Sequence, residues 1–526
     1  MALISLGSAD SLLSDGQMRR FDIEGKAILL SRVGGSYHAV RATCSHYGGN
    51  LADGVLAGTT VICPLHHACF DVRSGARSEP PALNDIPRFA VSIANGEVMV
   101  ETEPIAPAAI PGASAGDSRT FVIIGGGAAG SAAAEELRRQ KFGGNIVMLS
   151  ASAQLPIDRP NVSKDYLDGH AKAEWMPLRG AGWYTDRGIE LRLNSTAASV
   201  DVAGKVVVLA DGSRVSYDKL LLATGGTPRT LRVPGATLKN IFTLREQADA
   251  DAIITTKHEG ARAVVVGASF IGLEAANALA STGVKVIVVG LEAVPLERVL
   301  GPRVGALFQK LHEQNGVEFR LNSGVEKYIG PDDGAVTGVQ IRGGEVLHCD
   351  FVLLGVGVAP TTGFLNESAV KLHERDRAVL VDTKMEAAPD VYAAGDIARY
   401  PISGGTERIE HWRVAQQHGI LAARAMNGMP EPVSSRVPFF WTKQWGTSLR
   451  YVGHAESWDE VVLHGTPTPG EAFIAVYIGD GKVKAAAGVG RDREMAALNL
   501  CFAQGRPPTP EQARDPGFDI VGFARA

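Results

Sequence analysis

Cysteine is scarce in this chain: five among 526 residues, at positions 44, 63, 69, 349 and 501. So scattered a set forms no disulfide framework and fits a reducing compartment. Basic charge is not in excess either. The 52 Lys and Arg stand against 57 Asp and Glu, a net charge of −5, which removes any whole-chain case for nucleic-acid binding. No uncharged apolar run reaches the ~18 residues that a membrane span requires. The opening stretch MALISLGSADSLLSDGQMRR has no basic start leading into an apolar run. The expectation is therefore no signal peptide and a cytoplasmic protein. Glycine, by contrast, is abundant. Its 61 residues exceed the ~7% average usage and gather at strand ends, where backbone must approach phosphate closely. The length allows roughly three or four domains of about 150 residues each.

Two of the five cysteines stand in short mixed boxes. Cys44-Ser45-His46 and Cys63-Pro64-Leu65-His66 are separated by residues 47–62. Two loops of this kind can present four ligands to a small metal site. Zinc accepts two cysteines and two histidines, but its fingers pair like with like, whereas each box here mixes the two types. The set resembles the ligands of a Rieske 2Fe–2S cluster, in which two thiolates hold one iron and two imidazoles the other. Replacing anionic thiolate by neutral imidazole lifts the potential to about −150 to +300 mV, against about −400 mV for a plant-type ferredoxin cluster. CPLHHACFDVRSG is similar to the second box of ferredoxin-type Rieske domains. Some Rieske domains carry an extra cysteine in each box, joined as a disulfide. Those positions hold Gly49 and Leu65 here, so the disulfide-free type is implied. His67 and Cys69 are read as structural, since four ligands are already present.

Residues 1–102 read as short strands. FDIEGKAILLSRVGGSYHAVRATC alternates apolar and polar residues and breaks at Gly34-Gly35. RFAVSIANGEVMVE is a hairpin pattern with Asn95-Gly96 at its turn. Residues 103–118, rich in Pro, Ala, Gly and Ser, read as a partly extended linker. From Arg119 a strand–glycine loop–helix pattern appears twice, in TFVIIGGGAAGSAAAEELRRQ and RAVVVGASFIGLEAANALASTG. The first loop, Gly125, Gly127, Ala129 and Gly130 within it, fits G-x-G-x-x-G. Gly125 allows the tight turn, Gly127 lets a pyrophosphate approach the helix N-terminus, and Gly130 permits close packing. In the second loop, Gly267 to Gly272, Ser269 replaces the middle glycine. VYAAGDIARY places Asp396 after a strand, where its carboxylate can bind a sugar hydroxyl or equally cap a helix. The expected fold is an all-β domain, then an α/β reductase with two dinucleotide-binding domains, then an α+β tail with a turn at Asp480-Gly481. The expected divisions are 119–245 with 348–435 for a discontinuous FAD-binding domain, 246–347 for NAD(P)H, and 436–526 for the tail.

Together these motifs resemble two-dinucleotide-fold flavoprotein reductases: the ferredoxin reductases of bacterial oxygenase systems and the apoptosis-inducing-factor flavoproteins, within the pyridine nucleotide-disulphide oxidoreductase superfamily. The whole chain is most similar to the Rieske-containing apoptosis-inducing-factor-like branch. The resemblance implies roles residue by residue. Arg159 and Lys164, in LPIDRPNVSK, would contact FAD, as would Arg245. Lys164 would pair with Glu274 of IGLE beside the nicotinamide, the two acting as the catalytic pair. Asp396 would bind the ribityl chain. His411, Trp412 and Trp441 would lie against the flavin, and Glu410 near the nicotinamide. Gly267, Ser269, Phe270, Ile271, Gly272 and Gly357 would join Glu274 in holding NAD(P). Cys44, His46, Cys63 and His66 would hold the cluster.

The departures narrow this. A Rossmann unit usually ends its second strand in an acid for the ribose. The FAD unit offers Ser150 and Ser152 instead, and the NAD unit offers Gly290, with Glu292 two residues on. Without a basic cluster beyond Arg298, NADH is expected ahead of NADPH. No Cys-x4-Cys follows the first glycine helix, so the dithiol relay of glutathione-reductase-like enzymes is absent. The implied activity is an NAD(P)H-dependent flavin oxidoreductase of the ferredoxin-reductase type, working as a monomer or homodimer. It would pass electrons through FAD to its own cluster and on to an oxygenase or cytochrome. The alternative is a redox-responsive signalling protein that oxidises NADH slowly. In the enzyme reading His46 and His66 are expected to face the outside partner.

Overall fold

The structure is a computed structural model that describes residues 3–114, 116–402 and 405–525. Turn chemistry sets its N-terminal part. Glu24-Gly25, Gly34-Gly35 and Asn95-Gly96 each put two successive residues at positive φ (48° and 74°, 58° and 77°, 54° and 78°). Such turns twist with their strands and close two-residue hairpins. The result is a six-stranded antiparallel sheet in the order Leu3–Ser8, Glu97–Ile105, Arg88–Ala94, Ser36–Arg41, Lys26–Val33, Met18–Ile23. A second sheet, Val55–Ala57, Thr60–Ile62, Cys69–Asp71 and Arg77–Glu79, holds the second Cys/His box in the loop between the paired residues Ile62 and Cys69. Leu29, Val40, Leu51, Val61 and Phe70 fill the space between the sheets. The strand Glu97–Ile105 runs past residue 102, so the expected linker begins inside paired backbone.

The repeated pattern folds as two parallel sheets. The first has the order Ile189–Arg192, Asn145–Leu149, Thr120–Ile124, Lys219–Leu222, Val391–Ala393, Glu386–Ala388, parallel except at its last strand. Thr120–Ile124 is covered on both faces, as a nearly continuous β-branched run requires. The second has the order Ile241–Thr243, Phe351–Leu354, Arg262–Val266, Lys285–Val289, Glu318–Arg320. The expected limits 246–347 are therefore too narrow for the NAD unit. Phe351–Leu354 hydrogen-bonds between Arg262–Val266 and Ile241–Thr243, inside that sheet. An apolar run such as FVLL carries no mark of which parallel sheet it joins. The chain crosses between the units where Gly226–Pro228 pairs with Val358–Pro360.

The tail is a five-stranded antiparallel sheet, Phe439–Gln444, Thr447–Gly453, Lys482–Val489, Phe473–Gly479, Glu460–His464, with the helix Asp492–Ala503 against it. One of its apolar faces, with Phe439, Val452, Met495 and Leu498, takes in Val55, Ile62 and Cys69 of the N-terminal domain. That domain is thus packed onto the reductase rather than hung from its linker.

Candidate electron-transfer site

The two Cys/His boxes meet. Backbone bonds close both loops: Cys44 N–H to Gly49 O at 2.8 Å, and Cys63 N–H to Ala68 O at 2.9 Å. The Nδ1 atoms of His46 and His66 lie 3.1 Å apart. Cys44 and Cys63 are buried, and each thiol is the first influence on the other's ionisation, raising Cys44 and lowering Cys63. Burial pushes His46 down to about 3 and His66 well below its ordinary range, so both imidazoles are neutral, the form in which a ring nitrogen can bind a metal. A Cβ on Gly49 would come within 3.0 Å of Cys63 Sγ. Two thiols close enough to perturb one another and two imidazole nitrogens 3.1 Å apart are the donor set that a Rieske-type cluster takes. His67 and Cys69 are buried beside it, Cys69 in an apolar cluster and His67 with its ring 4.1 Å from that of Phe439.

His46 and His66 face inward as well as outward: both rings are half-buried, with the exposed Tyr47 on one side and the reductase on the other. The Trp441 ring lies 4.4 Å from that of His66 and 5.8 Å from that of His46. The docking that sets this direction is polar as well as apolar. Arg450 donates to the carbonyls of Pro64 (3.2 Å) and Leu65 (3.0 Å) in the second box. The fully buried Arg413 donates to Pro80 O (2.8 Å) and His67 O (3.3 Å). Glu135 accepts from Arg77 of the N-terminal domain and from Arg139 and Arg179 of the reductase. Burial alone would raise its carboxyl, but the three guanidiniums outweigh that and hold it below the usual range.

Beyond Trp441 lies an elongated cleft. One end is bordered by Gly125, Gly127, Ser150, Ser152 and Arg245, the other by Lys164, Glu274, Asp396, His411, Trp412 and Trp441, with Gly127, Arg159 and Arg245 common to both. Gly125 sits at φ 112°, and a Cβ there would lie 2.2 Å from Ala223 O. The helix Ala128–Arg139 starts here with Gly127 as its cap and no side chain bonded to its free N–H groups. That leaves them for a pyrophosphate. Ala129 also borders the cleft, whereas Gly130 lies behind it, packed on Gly125. Asp396 accepts from Arg245 at 3.2 Å and lies within the turn Gly395–Ile397, whose cap is Ala394. The capping alternative for Asp396 thus falls away. An extended cleft with a phosphate-ready helix end, two arginines and a carboxylate partway along fits FAD.

Lys164 Nζ donates to Glu274 Oε2 at 2.7 Å, and Ser163 Oγ donates to the same oxygen at 2.7 Å. The other oxygen, Oε1, accepts from Thr442 Oγ1 at 2.7 Å. Behind Thr442 the bonds continue: Gln444 Nε2 donates to Thr442 Oγ1 (3.0 Å), His312 Nε2 faces Gln444 Oε1 (2.8 Å), and Trp445 Nε1 donates to His312 Nδ1 (3.3 Å). Every donor in this buried chain points toward the Glu274 carboxylate. The direction requires a neutral His312 with its proton on Nε2. Burial agrees, pushing His312 down to about 4. His411 is likewise held neutral by burial, at about 3, and its Nδ1 has no protein partner.

The NAD unit has its own cavity, bordered by Gly267, Ser269, Phe270, Gly290, Glu292 and Gly357. Phe270 also borders the Lys164 end of the cleft, as do Ile271 and Glu274, so the two spaces meet there. Ser269 Oγ donates to Gly355 O at 2.8 Å and accepts from Gly272 N–H at 3.4 Å, capping its helix. Gly272 packs behind the loop on Gly267. Glu410 lies at the end of the cleft where the two spaces meet, with Phe270, Ile271 and Glu274, beside Asp396 and paired with Arg408. Burial dominates there and raises its carboxyl. Arg298, the candidate base for a 2′-phosphate, is paired with Glu292 at 3.1 Å. Sequence reading missed Thr442, Gln444 and His312, whose bonds to one another and to Glu274 span up to 168 positions. Arg413 and Arg450 were missed for the same reason.

Comparison with known proteins finds three family matches along the chain. Residues 4–90 match the Rieske 2Fe–2S domain, 119–419 the pyridine nucleotide-disulphide oxidoreductase family, and 439–524 the reductase C-terminal domain. Apoptosis-inducing factor 3 of Mus musculus is 35% identical over 508 residues, covering 94% of this chain and 83% of that protein. The Benzene 1,2-dioxygenase system ferredoxin–NAD(+) reductase subunit of Pseudomonas putida is 32% identical over 388 residues, covering 73% and 92%. Among solved structures, the covalent putidaredoxin reductase–putidaredoxin complex has a chain that superposes with a TM-score of 0.73 at 29% identity, covering 78% of this chain and 100% of that one.

Proposed function

The chain belongs to the pyridine nucleotide-disulphide oxidoreductase family, carries a Rieske 2Fe–2S domain and uses FAD and NAD(H); from that premise we propose that it takes electrons from NADH through FAD to its own cluster, and on to a separate one-electron acceptor of the oxygenase or cytochrome type. Bound FAD supplies the exchange between a two-electron hydride and single electrons, and the cluster carries those one at a time. The observation that carries this reading is Trp441, which borders the flavin end of the cleft and stands 4.4 Å from the ring of the ligand His66. One side chain separates the two cofactor sites, so no domain movement is needed between them.

The chain's own residues prepare the transfer. Glu274 keeps the Lys164 ammonium in place at the flavin end, and the bonds from Ser163 and Thr442 keep Glu274 in place. Phe270 and Ile271 bring the NAD cavity up to that end. For the coenzyme, NADH is favoured by a displaced acid. A Cβ at Gly290 would stand 2.9 Å from the Ala268 side chain, so the usual acid position is sterically closed. Glu292 borders the same cavity and can accept the ribose hydroxyls, while repelling a 2′-phosphate. Among the described residues, no helix is long and apolar enough to cross a membrane.

Anaerobic mixing of the purified holoprotein with NADH tests the route. Flavin bleaching followed by the electron-spin signal of a reduced Rieske centre is expected. A bleached flavin beside a cluster that stays oxidised would overturn it.

A further inference from the structure

The imidazole pair has a second aromatic neighbour. Opposite the role of Trp441 stands Tyr47, its ring 4.1 Å from that of His46 and 5.7 Å from that of His66. Tyr47 is 50% exposed. Within the loops 44–49 and 63–68 it is the one side chain that reaches solvent to that extent; the others are buried or half-buried. Exposed phenols ordinarily swing freely, but this one is pinned. Its hydroxyl donates to Asp158 Oδ2 at 2.6 Å and accepts from Asn161 Nδ2 at 3.0 Å, both on the reductase. The Asp158 N–H in turn bonds the carbonyl of Met176, next to Trp175, which is 59% exposed. Lys172 lies over the Trp175 ring at 5.5 Å.

We propose that Tyr47 is the contact through which electrons leave the cluster, and that Tyr47 with Trp175 forms the footing for a protein acceptor whose own one-electron centre lies near its surface. The inference rests on the flavin-to-cluster reading above. Trp441 and the reductase close the inner side of the imidazoles, so an outside protein meets them through Tyr47. Fixed, amphipathic aromatics are what protein contacts favour, because they bury a large area at small entropic cost. The occupant is a one-electron protein because the cluster carries single electrons. The overall balance is one NADH and two ferric acceptors giving one NAD+, two ferrous acceptors and one proton.

The competing reading is that Tyr47 only stitches two domains through its hydroxyl. Two variants of the holoprotein separate these, with ferricytochrome c as the probe. Tyr47→Phe keeps the ring and loses both hydrogen bonds; Tyr47→Ala loses the ring too. Tyr47→Phe should reduce cytochrome c near the wild-type rate, and Tyr47→Ala should fall at least about tenfold, as for an interface anchor. Trp175→Ala should cause a smaller loss. Flavin bleaching by NADH and the g-values of the reduced cluster should not change. A water-soluble paramagnetic chelate should broaden the cluster signal more in Tyr47→Ala than in the wild type, independently of turnover. Wild-type cytochrome c reduction by Tyr47→Ala would overturn the proposal. So would an equal loss in both variants accompanied by slower cluster reduction, which is the signature of a stitch. If the wild-type cluster is never reduced by NADH, the electron route itself fails, and that result is told apart by the first mixing experiment.

Discussion

The two dinucleotide units begin alike and end differently. Gly125 and Gly267 sit at φ 112° and 109°, and a Cβ on either would come within 2.2 or 2.3 Å of a carbonyl on a neighbouring strand end. Gly130 and Gly272 repeat the likeness: a Cβ there would lie 1.9 or 2.1 Å from the carbonyl of the first glycine of its loop. Yet the first unit's cleft is finished by His411, Trp412, Phe440 and Trp441, brought in from far along the chain. The second unit's cavity is bordered by residues 231–357 alone. The same local loop makes a phosphate cradle in both. What differs is the distant material laid over it, which borders the first unit's cleft and not the second's cavity.

The sharpest way to break this comparison is to spoil each loop at its last glycine. Gly130→Val should yield protein without FAD, since the clash is with backbone and cannot relax cheaply. Gly272→Val should stay yellow and fold, but lose reduction by NADH. Absorbance of the purified proteins reads the first effect and anaerobic titration the second. A colourless Gly272→Val would show that the units are not independent. The next largest effect lies where the units meet. Lys164→Met leaves Glu274 buried and without its cation, which should cost about 3–5 kcal/mol of stability, measured by denaturant unfolding.

Acid should then act through His312, in the helix Glu297–Glu313. His312 is held at about 4 in the folded protein against 6.5 for the free group. The unfolded chain therefore binds a proton first as pH falls. Stability present at neutral pH is lost between about 6.5 and 4, by about 3 kcal/mol for this group. Unfolding curves across that range should be shallower in His312→Gln, although His411 and His418, each held near 3, keep part of the slope. The smallest expected effect concerns coenzyme choice. Glu292→Gln should narrow the preference for NADH over NADPH about tenfold, as befits losing one charged hydrogen-bond acceptor, read from binding of each nucleotide. An unchanged ratio would return the question to Arg298.

What was legible in the sequence was what is local. The spacing of Cys44, His46, Cys63 and His66, the turns at Asn95-Gly96 and Asp480-Gly481, and both glycine loops stand within a few residues of their partners. Lys164, Glu274 and Asp396 came through resemblance, because no spacing joins them. That the imidazoles also face the reductase was not legible, for a physical reason. Ligand identity fixes the metal, but Arg413, Arg450 and Glu135 fix how the domain sits, and nothing adjacent to the boxes encodes that. The chain from Trp445 to Glu274 was invisible for the same cause: Thr442 and Gln444 read as ordinary alternating strand residues.

The docking face of the N-terminal domain carries a consequence for biosynthesis. Val55, Ile62 and Cys69 are covered by Phe439, Val452 and Met495. A ribosome adding about 5–20 residues per second, with domains folding in order of emergence, finishes the boxes roughly twenty to seventy seconds before it makes their cover. During that interval the side of the boxes that Trp441 and Arg450 later cover stands open, and once residues 437–498 arrive only the Tyr47 side remains so. Iron and sulfide delivery thus has a natural window, set by the order of the domains along the chain.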